Sequence, residues 1–97
     1  MSVESKYKNE LISIIHRHLP SCTIYLFGSR ATGKESPGSD VDLAVDTGKQ
    51  VPYNIILKIL IDIEETTIPV NVDLVDLQMA QKQLKLDIMR EGIKWTN

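Results

Sequence analysis

The chain has a single cysteine, Cys22, so no disulfide framework can stand in for a core, and a lone thiol fits a reducing cytoplasm. No apolar run approaches the ~20 residues that a membrane-spanning helix needs. The first residues, Met1-Ser2-Val3-Glu4-Ser5-Lys6, are polar and contain no signal-peptide core. Basic residues are not in excess: 11 Lys and Arg against 13 Asp and Glu leave a net charge of -2, which argues against a broad nucleic-acid footprint. Internal repeats, linkers and low-complexity segments are missing as well. These absences predict a cytoplasmic protein that binds neither membrane nor nucleic acid directly, folded as one domain over residues 1–97.

What is present is ordinary for a globular domain, with 42% apolar and 25% charged residues in a chain of 97. Val3, Tyr7, Leu11, Ile14, Ile15 and Leu19 recur at three- and four-residue steps and predict a helix that ends at Pro20. Thr23-Ile24-Tyr25-Leu26-Phe27 reads as a buried strand stopped by Gly28. A short helical turn over 29–33 and a Pro/Gly/Ser loop over 34–39 follow. Val41, Leu43 and Val45 alternate with Asp40, Asp42, Ala44 and Asp46 as a half-buried strand should. Ile55, Ile56, Ile59, Leu60 and Ile63 form a second helical stripe behind Pro52. A third strand is expected over 70–75, a third helix over 78–90 closed by Gly92, and a short edge strand at Ile93-Lys94-Trp95. The fold class expected from this order is α/β or α+β, a small mixed sheet flanked by helices.

Chemistry concentrates between Gly28 and Asp42. Gly28-Ser29 closes the first strand, and ten residues later Asp40-Val41-Asp42 opens the second. Strand side chains alternate, so both carboxylates point to one side, about 6.6 Å apart along the backbone. Two such charges ~5 Å apart at an effective dielectric near 20 repel by on the order of 3 kcal/mol, a cost that a cation between them turns into attraction. Carboxylate oxygens are the ligands Mg²⁺ prefers when it also holds substrate phosphates. Gly28 lets the backbone approach a ligand closely, and Ser29 adds a hydroxyl at a helix start, where unpaired N–H groups favour phosphate. The two halves suit one ligand, a metal-chelated nucleoside triphosphate.

A third carboxylate lies in Asn71-Val72-Asp73-Leu74-Val75-Asp76. If Val72 and Leu74 face the core, Asp73 shares the side of Asp40 and Asp42. It is the candidate to bind a second metal or to take the acceptor's proton. Asp76 has the other parity and is assigned to capping the next helix. Arg30 could steady a phosphate or simply be solvated. Ser39 could reach the triphosphate or close a turn. Asp46 is expected to be a turn residue, Lys34 and Lys49 loop charges, and Cys22 a small apolar residue. His16 and His18, two apart on a helix, share no ligand and read as exposed or partner-facing. Trp95 is expected to be buried beneath the last helix.

These residues resemble the DNA polymerase beta-like nucleotidyltransferases, above all the minimal nucleotidyltransferases (MNT proteins), whose signature is Gly-Ser, about ten residues, then Asp-X-Asp. The likeness extends over almost the whole chain, through the Val-Asp-Leu-Val strand and the Glu91-Gly92-Ile93 ending. It implies a mixed sheet flanked by helices, Gly28 and Ser29 on the triphosphate of ATP, Asp40 and Asp42 on Mg²⁺ (two ions), and Asp73 completing the site. Larger relatives carry a second, acceptor-binding domain that these residues do not include. The resemblance therefore implies a small helical HEPN partner encoded nearby. In such pairs the MNT protein is an antitoxin that moves AMP from ATP to a tyrosine of the toxin. Two alternatives stay open: the catalytic subunit of a two-part enzyme acting on a small molecule, and an antitoxin that inhibits by binding alone.

Overall fold

β-Branched and aromatic residues at alternate positions build the centre of the molecule, seen in a computed structural model that describes residues 3–36 and 38–96. The elements run α1 (Ser5–His18), β1 (Thr23–Phe27), α2 (Ser29–Thr32), β2 (Val41–Asp46), α3 (Tyr53–Glu64), β3 (Val72–Asp76), a 3₁₀ turn (Leu77–Met79), α4 (Lys82–Glu91) and β4 (Ile93–Lys94). The sheet order is β3-β2-β1-β4. β1 pairs antiparallel with β2 and β4, whereas β2 and β3 run parallel. A parallel pair needs a crossover, and α3 supplies it. The expected mixed sheet flanked by helices is the fold observed.

The two faces of the sheet are unequal. Ile24 and Leu26 of β1 with Val41, Leu43 and Val45 of β2 point to one side, where Leu11, Ile14 and Ile15 of α1 and Ile56, Ile59 and Ile63 of α3 cover them. Each such side chain taken fully out of water contributes about 1.5–3 kcal/mol before entropy is counted. On the other side Ala44, Leu77 and Ile88 make a small cluster, edged by Tyr25, Phe27, Val75 and Leu84. Helix α4 covers only part of that face.

Several expectations need correction. The helix expected over 78–90 is split: Asp76 caps the 3₁₀ turn, accepting from the Gln78 N–H at 3.0 Å, and α4 begins only at Lys82. Asp76 is also buried and accepts from the Val51 N–H at 2.6 Å, so one carboxylate serves two loops. Gly92 ends α4 without the left-handed conformation: its φ is -67°, and a Cβ there would collide with the Ile88 carbonyl. Trp95 is buried, but with the cluster on the α1 side, its ring under the Lys8 ammonium at 5.6 Å. His16 and His18 are half-buried and bonded within the chain, to the Cys22 carbonyl at 3.3 Å and to Asp62 at 2.6 Å. Cys22 is buried as expected, and Asp46 accepts from the Gly48 N–H at 2.9 Å, closing its turn. Pro37, in the expected loop, lies outside the described residues. Among the described residues no helix is long and apolar enough to cross a membrane.

Candidate functional site

The thinly covered face carries the charged residues. Along β2, Asp42 and Asp46 alternate with the buried Val41, Leu43 and Val45, so they share the side of Ala44. β-Sheet register then selects their neighbours. Phe27 pairs with Asp42 on one flank, and Asp42 pairs with Asp73 on the other. Neighbouring strands lie about 4.8 Å apart, so the carboxylates of Asp42 and Asp73 stand side by side on one face. Asp40 lies two residues before Asp42 and just ahead of β2.

Electrostatics reports this crowding. Burial pushes the Asp42 carboxyl above its ordinary range, and the charges of Asp73 and Asp40, with a side-chain hydrogen bond to Asp73, raise it further. A carboxyl raised by like charges marks where a cation would be attracted. Among the described residues no three His, Cys, Asp or Glu side chains enclose a space for an ion. The row is open, with Asp40 and Asp73 exposed. Openness fits Mg²⁺, which keeps several waters and takes one or two carboxylates plus phosphate oxygens instead of an all-protein cage.

Gly28 closes the row on the β1 side. Its φ of 76° and ψ of -156° belong to a region that glycine alone visits readily, and a Cβ there would collide with Asp42 Oδ2. The turn that launches α2 is therefore pressed against the carboxylate row. The Gly28 carbonyl accepts from the N–H groups of Ala31 and Thr32 at 3.1 and 3.2 Å, and Gly33, with φ 77°, ends the helix. Ser29 is half-buried at the start of this turn.

Other sequence-chosen residues lie differently. Arg30 donates from Nε and Nη2 to the Ser39 carbonyl at 3.0 and 2.7 Å, tying α2 to the loop that leads into Asp40. It lines a cavity with Tyr7, Leu11 and Val41, on the α1 side of the sheet. Ser39 Oγ accepts from the Ser36 N–H at 2.9 Å, closing a turn. The structure thus brings Gly28, Asp40, Asp42 and Asp73 together and places Arg30 and Ser39 in the frame behind them. Sequence reasoning did not single out Glu64 and Asn71, which line a cavity of about 470 Å³ with Asp40 and Asp73 at the free edge of β3. No local pattern signals them, because the cavity joins α3 to β3 across the fold.

Comparison with known proteins accords with this geometry. Residues 9–95 match the family described as Polymerase beta, Nucleotidyltransferase. No curated protein matches the chain. Among solved structures, a toxin–antitoxin with AMP-PNP is similar over 93% of this chain and 73% of its own, at 26% identity and a TM-score of 0.80. A mutant of the toxin–antitoxin MntA-HpeT is similar over 90% of this chain and 69% of its own, at 27% identity and a TM-score of 0.75. A third likeness, at 23% identity and a TM-score of 0.69 over 98% of this chain and 73% of that one, is to a tri-AMPylated Shewanella oneidensis HEPN toxin in complex with MNT antitoxin. That likeness is one of fold.

Proposed function

The chain belongs to the polymerase beta nucleotidyltransferase family and has the fold of its MNT members, and on that premise we propose that residues 1–97 act as a single domain that transfers AMP from Mg-ATP to a HEPN-type partner, as an antitoxin. The observation that carries this reading is the row Gly28, Asp42, Asp73, set by β-sheet register and marked by the raised Asp42 carboxyl. Two relatives add support, one a toxin–antitoxin with AMP-PNP and the other a fold neighbour whose toxin carries AMP.

The residues divide the work as follows. Gly28 admits the triphosphate close to the backbone, and Ser29 offers a hydroxyl beside it. Asp40 and Asp42 would hold Mg²⁺, which would neutralise charge on the phosphates, leaving Asp73 beside them to act on the acceptor. Arg30 and Ser39 act at one remove, by fixing the loop that aims Asp40. The acceptor oxygen attacks the α-phosphorus in line. Its bond to phosphorus forms as the bond from phosphorus to the α,β-bridging oxygen breaks, and pyrophosphate leaves with the electron pair. The acceptor's proton passes to the Asp73 carboxylate, the exposed member of the pair.

Product analysis of ATP turnover with Mg²⁺ and the HEPN-type protein tests the reaction class. The expected product is pyrophosphate, in amount equal to the AMP transferred and missing with Asp42→Asn. Accumulation of ADP would instead mean attack at the terminal phosphate and would refute nucleotidyl transfer. Neutralisation of the toxin by Asp42→Asn as well as by wild type would favour inhibition by binding alone. Modification of small hydroxyl compounds by the isolated chain would favour a small-molecule acceptor.

A further inference from the structure

The sheet ends in two unequal edges. β4 is two residues long, whereas β3 runs for five and has no strand beyond it. The Val41 N–H donates to the Asn71 carbonyl at 2.9 Å, so Asn71 and Asp73 turn their backbone groups toward β2, and Val72 and Leu74 turn theirs outward. Among the described residues nothing bonds those outward groups. An open edge of this kind is a template for another strand.

Helix α3 borders the same edge. Its Asp62 faces α1, where His18 binds it at 2.6 Å, so the opposite flank of α3 looks out past β3. Along that flank Tyr53, Leu57 and Ile61, at four-residue steps, are 71%, 41% and 54% exposed. Between the flank and the strand lies a cavity of about 270 Å³, walled by Tyr53, Ile56, Leu74 and Met79. Flank and edge together make an apolar groove beside unpaired backbone, on the α3 side of the sheet. Farther along the edge stand Glu64 and Asp73, both exposed. Among the described residues no Lys, Arg or His lines either end of it.

We propose that the open edge of β3 and this groove bind an extended, basic segment of the acceptor protein, which joins the four-stranded sheet as a further strand. The inference rests on the nucleotidyltransferase reading above for why a protein is bound, and adds how it is held. Backbone pairing supplies the hold, and the groove takes alternate apolar side chains. Charge decides the occupant. A second copy of this chain, paired edge to edge, would bring its own Glu64 and Asp73 against these, and like charges across a strand pair are unfavourable. A segment carrying Lys or Arg meets them favourably. Side chains of the added strand that lie beside Leu74 enter the groove. Their neighbours, beside Asp73, face the carboxylate row across a strand spacing of about 4.8 Å. One strand thus anchors the acceptor and delivers a residue to the site.

Two substitutions and an exchange measurement test this. Leu57→Arg, at an exposed position, replaces a groove wall with a charge that repels a basic segment. Val72→Pro removes an outward N–H at the first residue of β3, where an edge strand tolerates proline. Leu86→Arg, at an exposed position on α4, is the control. Calorimetry measures the affinity of each chain for the HEPN-type protein and for Mg-ATP. Leu57→Arg and Val72→Pro should weaken the protein complex at least about tenfold and leave Mg-ATP affinity unchanged. Leu86→Arg should bind both as wild type does. In hydrogen exchange the Val72 and Leu74 amides should become protected when the partner binds, which docking through side chains alone would not produce. Unchanged affinity in Leu57→Arg, or unprotected Val72 and Leu74 amides in the complex, would overturn the proposal. If Val72→Pro does not fold, Leu57→Arg and the exchange pattern still decide. A wild-type complex protected at β3 that transfers no AMP would uphold the docking edge and end the reaction reading. AMP transfer with β3 unprotected would do the reverse. If no complex forms, a peptide of alternating valine and lysine titrated into the labelled full chain decides the edge alone. Shifts of the Val72 and Leu74 amides would uphold it, and their absence would overturn it.

Discussion

The two faces of the sheet perform different tasks. On the α1 and α3 side, Leu11, Ile15, Ile24, Leu26, Leu43 and Ile59 are fully buried in a continuous core. On the α4 side, Ala44, Leu77 and Ile88 are the buried members, and the strand positions beside them are given to Asp42, Asp73 and Asp46. Folding stability is concentrated on the first face, so the second can gather like charges that oppose folding. The same strand serves both, because alternate residues of β2 point in opposite directions.

The largest expected contrast comes from shaving one residue on each face. Leu43→Ala empties a fully buried position in the main core and should destabilise by about 2–5 kcal/mol. Val75→Ala, at a half-buried position opposite, should destabilise by ~1 kcal/mol or less. Urea denaturation of the two variants measures the difference, and equal losses would break the division of labour.

Gly28→Ala should come next. The backbone conformation alone is disfavoured by ~1–3 kcal/mol for a residue with a Cβ, and relief of the collision displaces Asp42. AMP transfer should fall by more than the stability loss explains, whereas Gly33→Ala, at a similar φ with open space around it, should lose stability and keep activity. Kinetics at a temperature where both variants stay folded separates the two.

Asp42→Asn sharpens the comparison from the opposite direction. Its folded carboxyl is raised above the unfolded value, so protonation stabilises the fold, and stability falls as pH rises through the folded value. Removing the charge at neutral pH should raise the Tm slightly, because solvent screens this half-buried group. Mg-ATP should then stabilise the wild type and not the variant. A lower Tm for Asp42→Asn without ligand would mean that the carboxylate cluster is not a burden on the fold.

The alternation in Ile24 to Phe27 and in Val41 to Asp46 made two strands readable in advance, and with them the side taken by Asp42. So did the helical spacing of Leu11, Ile14 and Ile15. Parallel register was not readable: that Asp42 stands beside Asp73 depends on how far α3 carries the chain, which no short window contains. Asp76 was recognised as a cap, yet its second bond, to Val51, joins residues 25 apart. The break between Leu77–Met79 and α4 was hidden because Leu77, Leu84 and Ile88 keep a near-helical spacing across it. Trp95 escaped for a related reason: its backbone N–H binds the Ile24 carbonyl at 2.7 Å, and that pairing carries it toward α1.

The smallest effect is a control on the main face. Burial pushes the Cys22 thiol up to about 11. The unfolded thiol ionises first, near its ordinary value of 9.0, so this contribution is present below that pH and is lost as pH rises toward 11. Alkylation at pH 8 should be slow in the native protein and fast in denaturant. Rapid native alkylation would place Cys22 outside the core.

The most direct test of the central claim is the intact mass of the HEPN-type partner after incubation with the chain, ATP and Mg²⁺. The carboxylate row predicts one or more added AMP units with wild type and none with Asp42→Asn. An unchanged partner mass in a stable complex with the wild-type chain would contradict AMP transfer to the partner.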